Sequence, residues 1–219
     1  MLTISDLYDL SHTRAAAYLA GLTYPWEALE GISALILSLG AALPAAEFDH
    51  PEADVWIAKS ASVAPSARIH GPCIIGADTE VRHCAFIRGS ALVGDGCVVG
   101  NSTELKNVIL FDGVQVPHYN YVGDSILGHL AHMGAGAITS NVRSDRLPVV
   151  VHDGAQHMET GRKKVGAMLG DRVEVGCNSV LNPGTVIGRG SSVYPTSCVR
   201  GTVPGASIWK SDGTVVAMQ

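Results

Sequence analysis

The chain is short of aromatic residues, 5% of its 219 positions, and of charged residues, 16%. A core built from it must therefore rest on small and aliphatic side chains, which the 47% hydrophobic content supplies. Intrinsic disorder is excluded, because disorder needs low hydrophobicity and high charge. Cations are also scarce: 15 Lys and Arg against 20 Asp and Glu leave a formal charge of −5. That balance argues against nucleic acid as a partner, since phosphate backbones call for a net positive surface. The five cysteines, Cys73, Cys84, Cys97, Cys177 and Cys198, are odd in number and form no CxxC pair. Neither a disulfide framework nor a zinc knuckle is expected, and a reducing cytoplasm is the simplest compartment. The opening MLTISDLYDL carries acid where a signal peptide carries base. The most apolar run, Ile32 to Leu43, falls short of the roughly 20 residues that span a bilayer. The expectation is a cytoplasmic protein with no membrane partner.

What the chain does have is Gly, 25 residues, and a period of six. Stepping by six from Ile57 meets Val63, Ile69, Ile75, Val81, Ile87, Val93, Val99 and Leu105, all aliphatic. Four residues after each of the first eight comes a small one: Ala61, Ala67, Cys73, Thr79, Ala85, Ala91, Cys97 and Thr103. The register slips by one residue twice, through Leu110, Val116 and Val122 and then Leu127 and Met133. It returns as Leu169, Val175, Leu181, Ile187, Val193 and Val199. A helix repeats near 3.6 and an isolated strand at 2, so neither explains this order. A hexad reads as one short strand plus a tight corner, and three hexads close a triangular coil whose aliphatic residue points inward. Stacked coils cover each other's apolar edges. The spacing predicts a mainly β parallel helix of about seven coils over residues 51–205. Cys73 and Cys97 become small core residues in it.

Two segments break the period. Residues 1–50 read as short helices: Pro25 suits a first helical position, Trp26, Leu29, Ile32, Leu35, Ile36 and Leu39 follow at helical spacing, and Gly40 reads as a stop. Residues 140–166 read as an inserted loop, and residues 206–219 as a tail. The insert carries Arg143, Arg146, Arg162, Lys163 and Lys164, a third of all Lys and Arg. Arg88 and Lys106 stand eighteen residues apart, one full coil, so they should stack on one face as a shared anion site.

The segment PHYNYVGDSILG, Pro117 to Gly128, is followed by MGAGAITSN, Met133 to Asn141. Together they resemble the acetyltransferase domain of the bacterial bifunctional N-acetylglucosamine-1-phosphate uridyltransferase/glucosamine-1-phosphate acetyltransferase family. The resemblance covers about residues 55–205, and it gives the left hand of the helix. It implies acetyl-CoA as co-substrate, a small sugar phosphate or nucleotide sugar as acceptor, and a homotrimer with active sites between subunits. By resemblance His118 falls on the catalytic base. Arg88, Lys106 and Tyr121 fall on residues that hold the sugar phosphate, Glu104 on a nearby carboxylate and Asn141 on a second sugar contact. Cys177 stands where the family has a cofactor-contacting Ser, and His132 where it has a sugar-site Asn. The basic run Arg162, Lys163 and Lys164, together with Arg172, is expected to meet the phosphates of coenzyme A. The family's nucleotidyltransferase domain has no counterpart here, so no uridyltransferase activity is expected. No metal is expected either. Two other readings remain open: a non-catalytic trimeric binding or oligomerisation module, and a metal hydratase like the γ-class carbonic anhydrases, using His118, His152 and His157.

Overall fold

Why the chain coils is visible in its strand registers. A computed structural model describes residues 1–218. Cys73–Ile75 lies parallel to and in register with Ala91–Val93, eighteen residues on. Ser62–Val63 lies in the same way on Glu80–Val81, and Arg68–Ile69 on Phe86–Ile87. These are three walls of one left-handed parallel β-helix, which runs to about nine turns rather than seven. The coil opens with Val55–Ala58, in register with Cys73–Ile75, and runs past its expected end, where Ser207–Trp209 still pairs parallel with Ser192–Val193. Residues 206–219, expected as a tail, thus supply that strand and a further one, Val215–Ala217, returning antiparallel on it.

The hexad positions point inward. Ile75, Val81, Ile87, Val93, Val99 and Leu105 are all buried, with Ile87, Val93, Val99 and Leu105 fully so. The small residues between them are buried as well, and the two threonines keep their hydroxyls bonded. Thr79 donates to Gly94 O at 2.8 Å and Thr103 to Val116 O at 2.9 Å, so neither polar group is left unpaired in the core. The register slips also have a physical meaning. Leu105 pairs with Val122 and Gln115 with His132, a spacing of seventeen. These middle coils close with one residue fewer, and the inward row is kept.

The N-terminal segment is a set of short helices lying on the coils. Pro25 opens the 3-10 helix Pro25–Glu30, and Ile32–Ala41 is the longest α-helix. Gly40 is not the stop expected for it: the helix continues past Gly40 to its cap at Ala42. Gly40 is buried against the ring of Trp56, and a Cβ there would lie inside that ring's van der Waals surface. Close approach of helix to coil, and not the end of the helix, selects the glycine. The segment is tied down further along. Tyr8 packs on the fully buried Phe111, ring centroids 5.0 Å apart. Asp171 Oδ2 accepts from Asp9 N at 2.7 Å. Among the described residues no helix is long and apolar enough to cross a membrane.

The insert at 140–166, expected as a loop, carries an antiparallel hairpin, Val150–Asp153 with Gln156–Glu159. Val149 and Val151 are fully buried beneath it. Thr202 Oγ1 donates to His152 O at 2.8 Å, fixing the hairpin to the last coils.

Helix propensity alone makes Gly→Ala in a helix interior favourable by about 1 kcal/mol. At position 40 the sign reverses: Gly40→Ala should lower stability by about 1–3 kcal/mol through overpacking, read as a lower urea midpoint. In a Trp56→Ala background the same substitution should become neutral or stabilising.

Candidate functional site

The expected site residues divide between two edges of the prism. The first is a corner column. Tyr119 N donates to Asn101 O, Gly136 N to His118 O, Asn178 N to Ala135 O and Thr196 N to Cys177 O. His118 and Cys177 therefore share one edge, with Ala135 between them. His118 ends the strand Gln115–His118 and is exposed. Its imidazole makes no hydrogen bond to any described residue, while its backbone is held. Asn120 is buried, accepts from His118 N at 3.1 Å, and donates to Gly134 O and Ala137 O at 2.8 and 3.0 Å. Tyr119 takes φ +38 to make the turn. A free imidazole on a clamped backbone suits proton transfer, because its lone pair is not committed to the protein.

The second edge gathers Lys106, Asp124, Asn107 and Asn141. Asp124 is buried at φ +49, in the left-handed region. Its carboxylate accepts from Lys106 Nζ at 3.1 Å, Asn107 Nδ2 at 2.9 Å and Asn141 Nδ2 at 2.6 Å. Its carbonyl accepts from Gly166 N at 2.7 Å, tying the end of the insert to the coil. Asn141 Nδ2 also donates to the Tyr121 hydroxyl at 3.2 Å, and burial raises the pKa of that phenol. Gly123 makes room for it: a Cβ there would sit 2.5 Å from the Tyr121 oxygen. Lys106 and Asp124 also line a cleft of about 880 Å³ with Arg162, Lys163 and Lys164 of the insert and Glu30 and Ser33 of the N-terminal segment.

Arg88 and Lys106 do stack one coil apart, as the registers Phe86 to Glu104 and Ile87 to Leu105 require. Neither is a free cation. Arg88 pairs with Glu104 at 2.7 Å and Lys106 with Asp124 at 3.1 Å. Arg162 lies 3.5 Å from Glu30. An incoming phosphate must compete with these carboxylates. His132 lies on the second wall, beside Gln115 and Glu174 in register, and its Nδ1 is 2.7 Å from Glu174. It is thus not brought to Tyr121 or Asn141. Arg172 lines a separate small cleft with His12, His129 and Asp171. His152 and His157 pair across the hairpin. Among the described residues no group of three His, Cys, Asp or Glu is placed to hold a metal.

Sequence reasoning missed Asp124, Asn107 and Asn120. Asp124 was legible as the acid of the quoted YVGD run. Asn107 and Asn120 carry no signal beyond being amides near corners, since their partners come from the next coil.

Asp124→Asn should cost about 1–3 kcal/mol, the scale for leaving buried or charged donors poorly matched, and should free Lys106. Its chemical denaturation midpoint checks the first and the reactivity of Lys106 toward an amine-labelling reagent the second. The thiols give a second test. Burial pushes the Cys97 thiol up to about 12 and raises the buried Cys73 as well, whereas Cys84, Cys177 and Cys198 are exposed. A thiol reagent at pH 8 should count three groups in the native protein and five after unfolding.

Several known proteins are similar to this chain. A protein of Sulfurisphaera tokodaii, a bifunctional sugar-1-phosphate nucleotidylyltransferase/acetyltransferase, is 35% identical over 94 residues, which is 43% of this chain and 23% of that protein. The bifunctional protein GlmU of Methanococcus maripaludis is 34% identical over 112 residues, 51% of this chain and 27% of that protein. The chain thus matches about a quarter of the length of these curated relatives. Among solved structures, a putative acetyltransferase of Bacillus cereus aligns with a TM-score of 0.42 at 19% identity, covering 75% of this chain and 77% of that one. A variant of perosamine N-acetyltransferase from Caulobacter crescentus, in complex with CoA and GDP-perosamine, aligns at 0.39 and 17% identity, covering 74% and 56%. The family model for the GMPPB C-terminal domain matches residues 52–203. That is 152 of 219 residues, the coiled body with its insert up to the last strands, and on it the chain belongs to the GMPPB C-terminal domain family.

Proposed function

We propose that the chain is an acyltransferase that moves an acetyl group from acetyl-CoA to an amino-sugar phosphate or nucleotide sugar, with His118 as general base. The observation that carries this is the state of His118: an exposed imidazole without a partner among the described residues, on a corner whose backbone Asn120 fixes. The relatives' names supply the reaction class, and the motif from Pro117 to Asn141 supplies the register.

Acetyl-CoA supplies an activated acyl carbon with a thiol leaving group. Neutral His118 takes the proton of the acceptor amine as its nitrogen attacks that carbon. A C–N bond forms and the C–S bond breaks, and the imidazolium returns its proton to the departing sulfur. Backbone N–H groups at the corner column are the candidate donors for the oxyanion. No covalent enzyme intermediate is needed, so Cys177 serves as a small exposed residue beside the donor and not as a nucleophile. Lys106, Arg88 and Tyr121 bind the acceptor phosphate once it displaces Asp124 and Glu104, and Asn141 holds a hydroxyl.

Within one chain the base and the cations of Lys106, Arg162, Lys163 and Lys164 sit on different edges. A homotrimer resolves this, because it sets the His118 edge of one subunit against the Lys106 cleft of the next. One observation favours a second reading, a binding or oligomerisation module: the two expected phosphate cations are already neutralised by Glu104 and Asp124.

Free-thiol release from acetyl-CoA with glucosamine 1-phosphate tests both. For the enzyme, His118→Ala should lower kcat/KM by about 10²–10⁴-fold, while Cys177→Ala stays within a few-fold. Saturable acetyl-CoA binding with no thiol release on any acceptor would establish the module reading instead.

A further inference from the structure

A second cavity, of about 570 Å³, lies under the inserted hairpin, farther along the Lys106 edge, and shares no lining residue with the Lys106 cleft. We infer that it is a binding site for the phosphate monoester of a hexose, with Arg200 as the phosphate ligand.

The coil registers build its floor. Thr139 pairs with Leu181 and Leu181 with Val199. The next residues along, Ser140, Asn182 and Arg200, therefore form a column of three on successive coils, and all three line the cavity. The roof is the insert. His152 and Val150 lie over the column, held there by Thr202 and by Gly184, whose backbone lies against Val149 and Val150.

The lining fixes the class of ligand. Arg200 makes no ion pair or hydrogen bond with any described residue, unlike Arg88, Lys106 and Arg162. The other guanidinium, Arg143, is committed to Asp145 through two bonds of 3.0 and 2.6 Å. With Arg143 and Asp145 cancelling, the cavity has one net positive charge. A phosphate monoester, at about −1.5 to −2 near pH 7, is the phosphate that one guanidinium and neutral donors come nearest to balancing, whereas a diphosphate or coenzyme A needs more cations. Arg is also the residue whose planar fork takes two phosphate oxygens at once. Neutral hydrogen-bonding groups surround it: the hydroxyls of Ser140 and Ser144 make no bond to another described residue. Asn182 spends its Nδ2 on Val199 O at 2.8 Å and keeps its Oδ1 available. Val150 and Pro183 add apolar surface for the carbon face of a ring. The volume lies in the range of small-molecule sites, about 300–1,000 Å³.

The site is read by binding alone, so its fate is independent of acyl transfer. Isothermal titration calorimetry on the full chain should show a saturable site for glucose 1-phosphate that depends on Arg200, with glucose and inorganic phosphate each binding at least tenfold more weakly. Arg200→Gln should weaken glucose 1-phosphate at least tenfold and Arg200→Lys less, both with an unchanged melting temperature. A saturable site that Arg200→Gln weakens should persist in Lys106→Ala, which removes the acceptor-site cation. Absence of saturable binding would overturn the inference. So would binding that is indifferent to both Arg200 variants, or binding that Lys106→Ala abolishes while Arg200→Gln does not, since that places the ligand in the other cleft.

Discussion

Everything in this molecule depends on one constraint: a coil of about eighteen residues buries its apolar row only when another coil lies on it. No hexad has a core of its own. Val93 is covered because Ile75 stacks on one side of it and Leu110 on the other, in strict register. That requirement explains why the register survives coils of seventeen residues, where the chain gives up a corner position and keeps the inward row. It also explains the corners. Ser102, Tyr119, Gly136, Asn178 and Thr196 take positive φ on one edge, coil after coil, because each must turn the chain at the same height above its neighbour.

A consequence is that outward side chains come as columns. Any residue placed at a given position in one coil has the same position above and below it. Arg88 over Lys106, with the trio of Ser140, Asn182 and Arg200 farther along the same edge, and His118 near Cys177 on another are two cases of this geometry. Chemistry on such a scaffold is assembled along the stack and not along the chain, and corners and insertions decide which columns are open.

Electrostatics then sorts the columns. The chain has few cations, and in the folded state most of those near the expected site have a carboxylate partner. Asp124 is the centre of this: one buried carboxylate holds an ammonium and two amides from three coil positions and anchors the end of the insert. It shapes the Lys106 cleft and at the same time neutralises its main cation, so a phosphate there gains only the difference between two partners. Arg200 has no carboxylate partner among the described residues. The N-terminal helices and the hairpin complete the two clefts, each roofing a different stretch of one edge.

The sequence by itself determined the coil. An inward aliphatic row with small residues four places on has one efficient solution, and the period, its slips and the core cysteines were all readable because they depend only on local spacing. His118, Cys177, Arg88, Lys106, Tyr121 and Asn141 were also named from sequence, and the stacking of Arg88 on Lys106 followed from simple counting. Tertiary structure decided what the count could not reach. Gly40 looked like a helix end because its real partner, Trp56, is sixteen residues away. The pairing of Lys106 with Asp124, the retreat of His132 to Glu174 and the separation of His118 from the basic insert all depend on which wall each side chain leaves. The hairpin in the insert, and the cavity beneath it, depend on contacts with Thr202 and Gly184 across the fold. Those contacts join residues distant along the chain, and a repeat only six residues long carries no information about them.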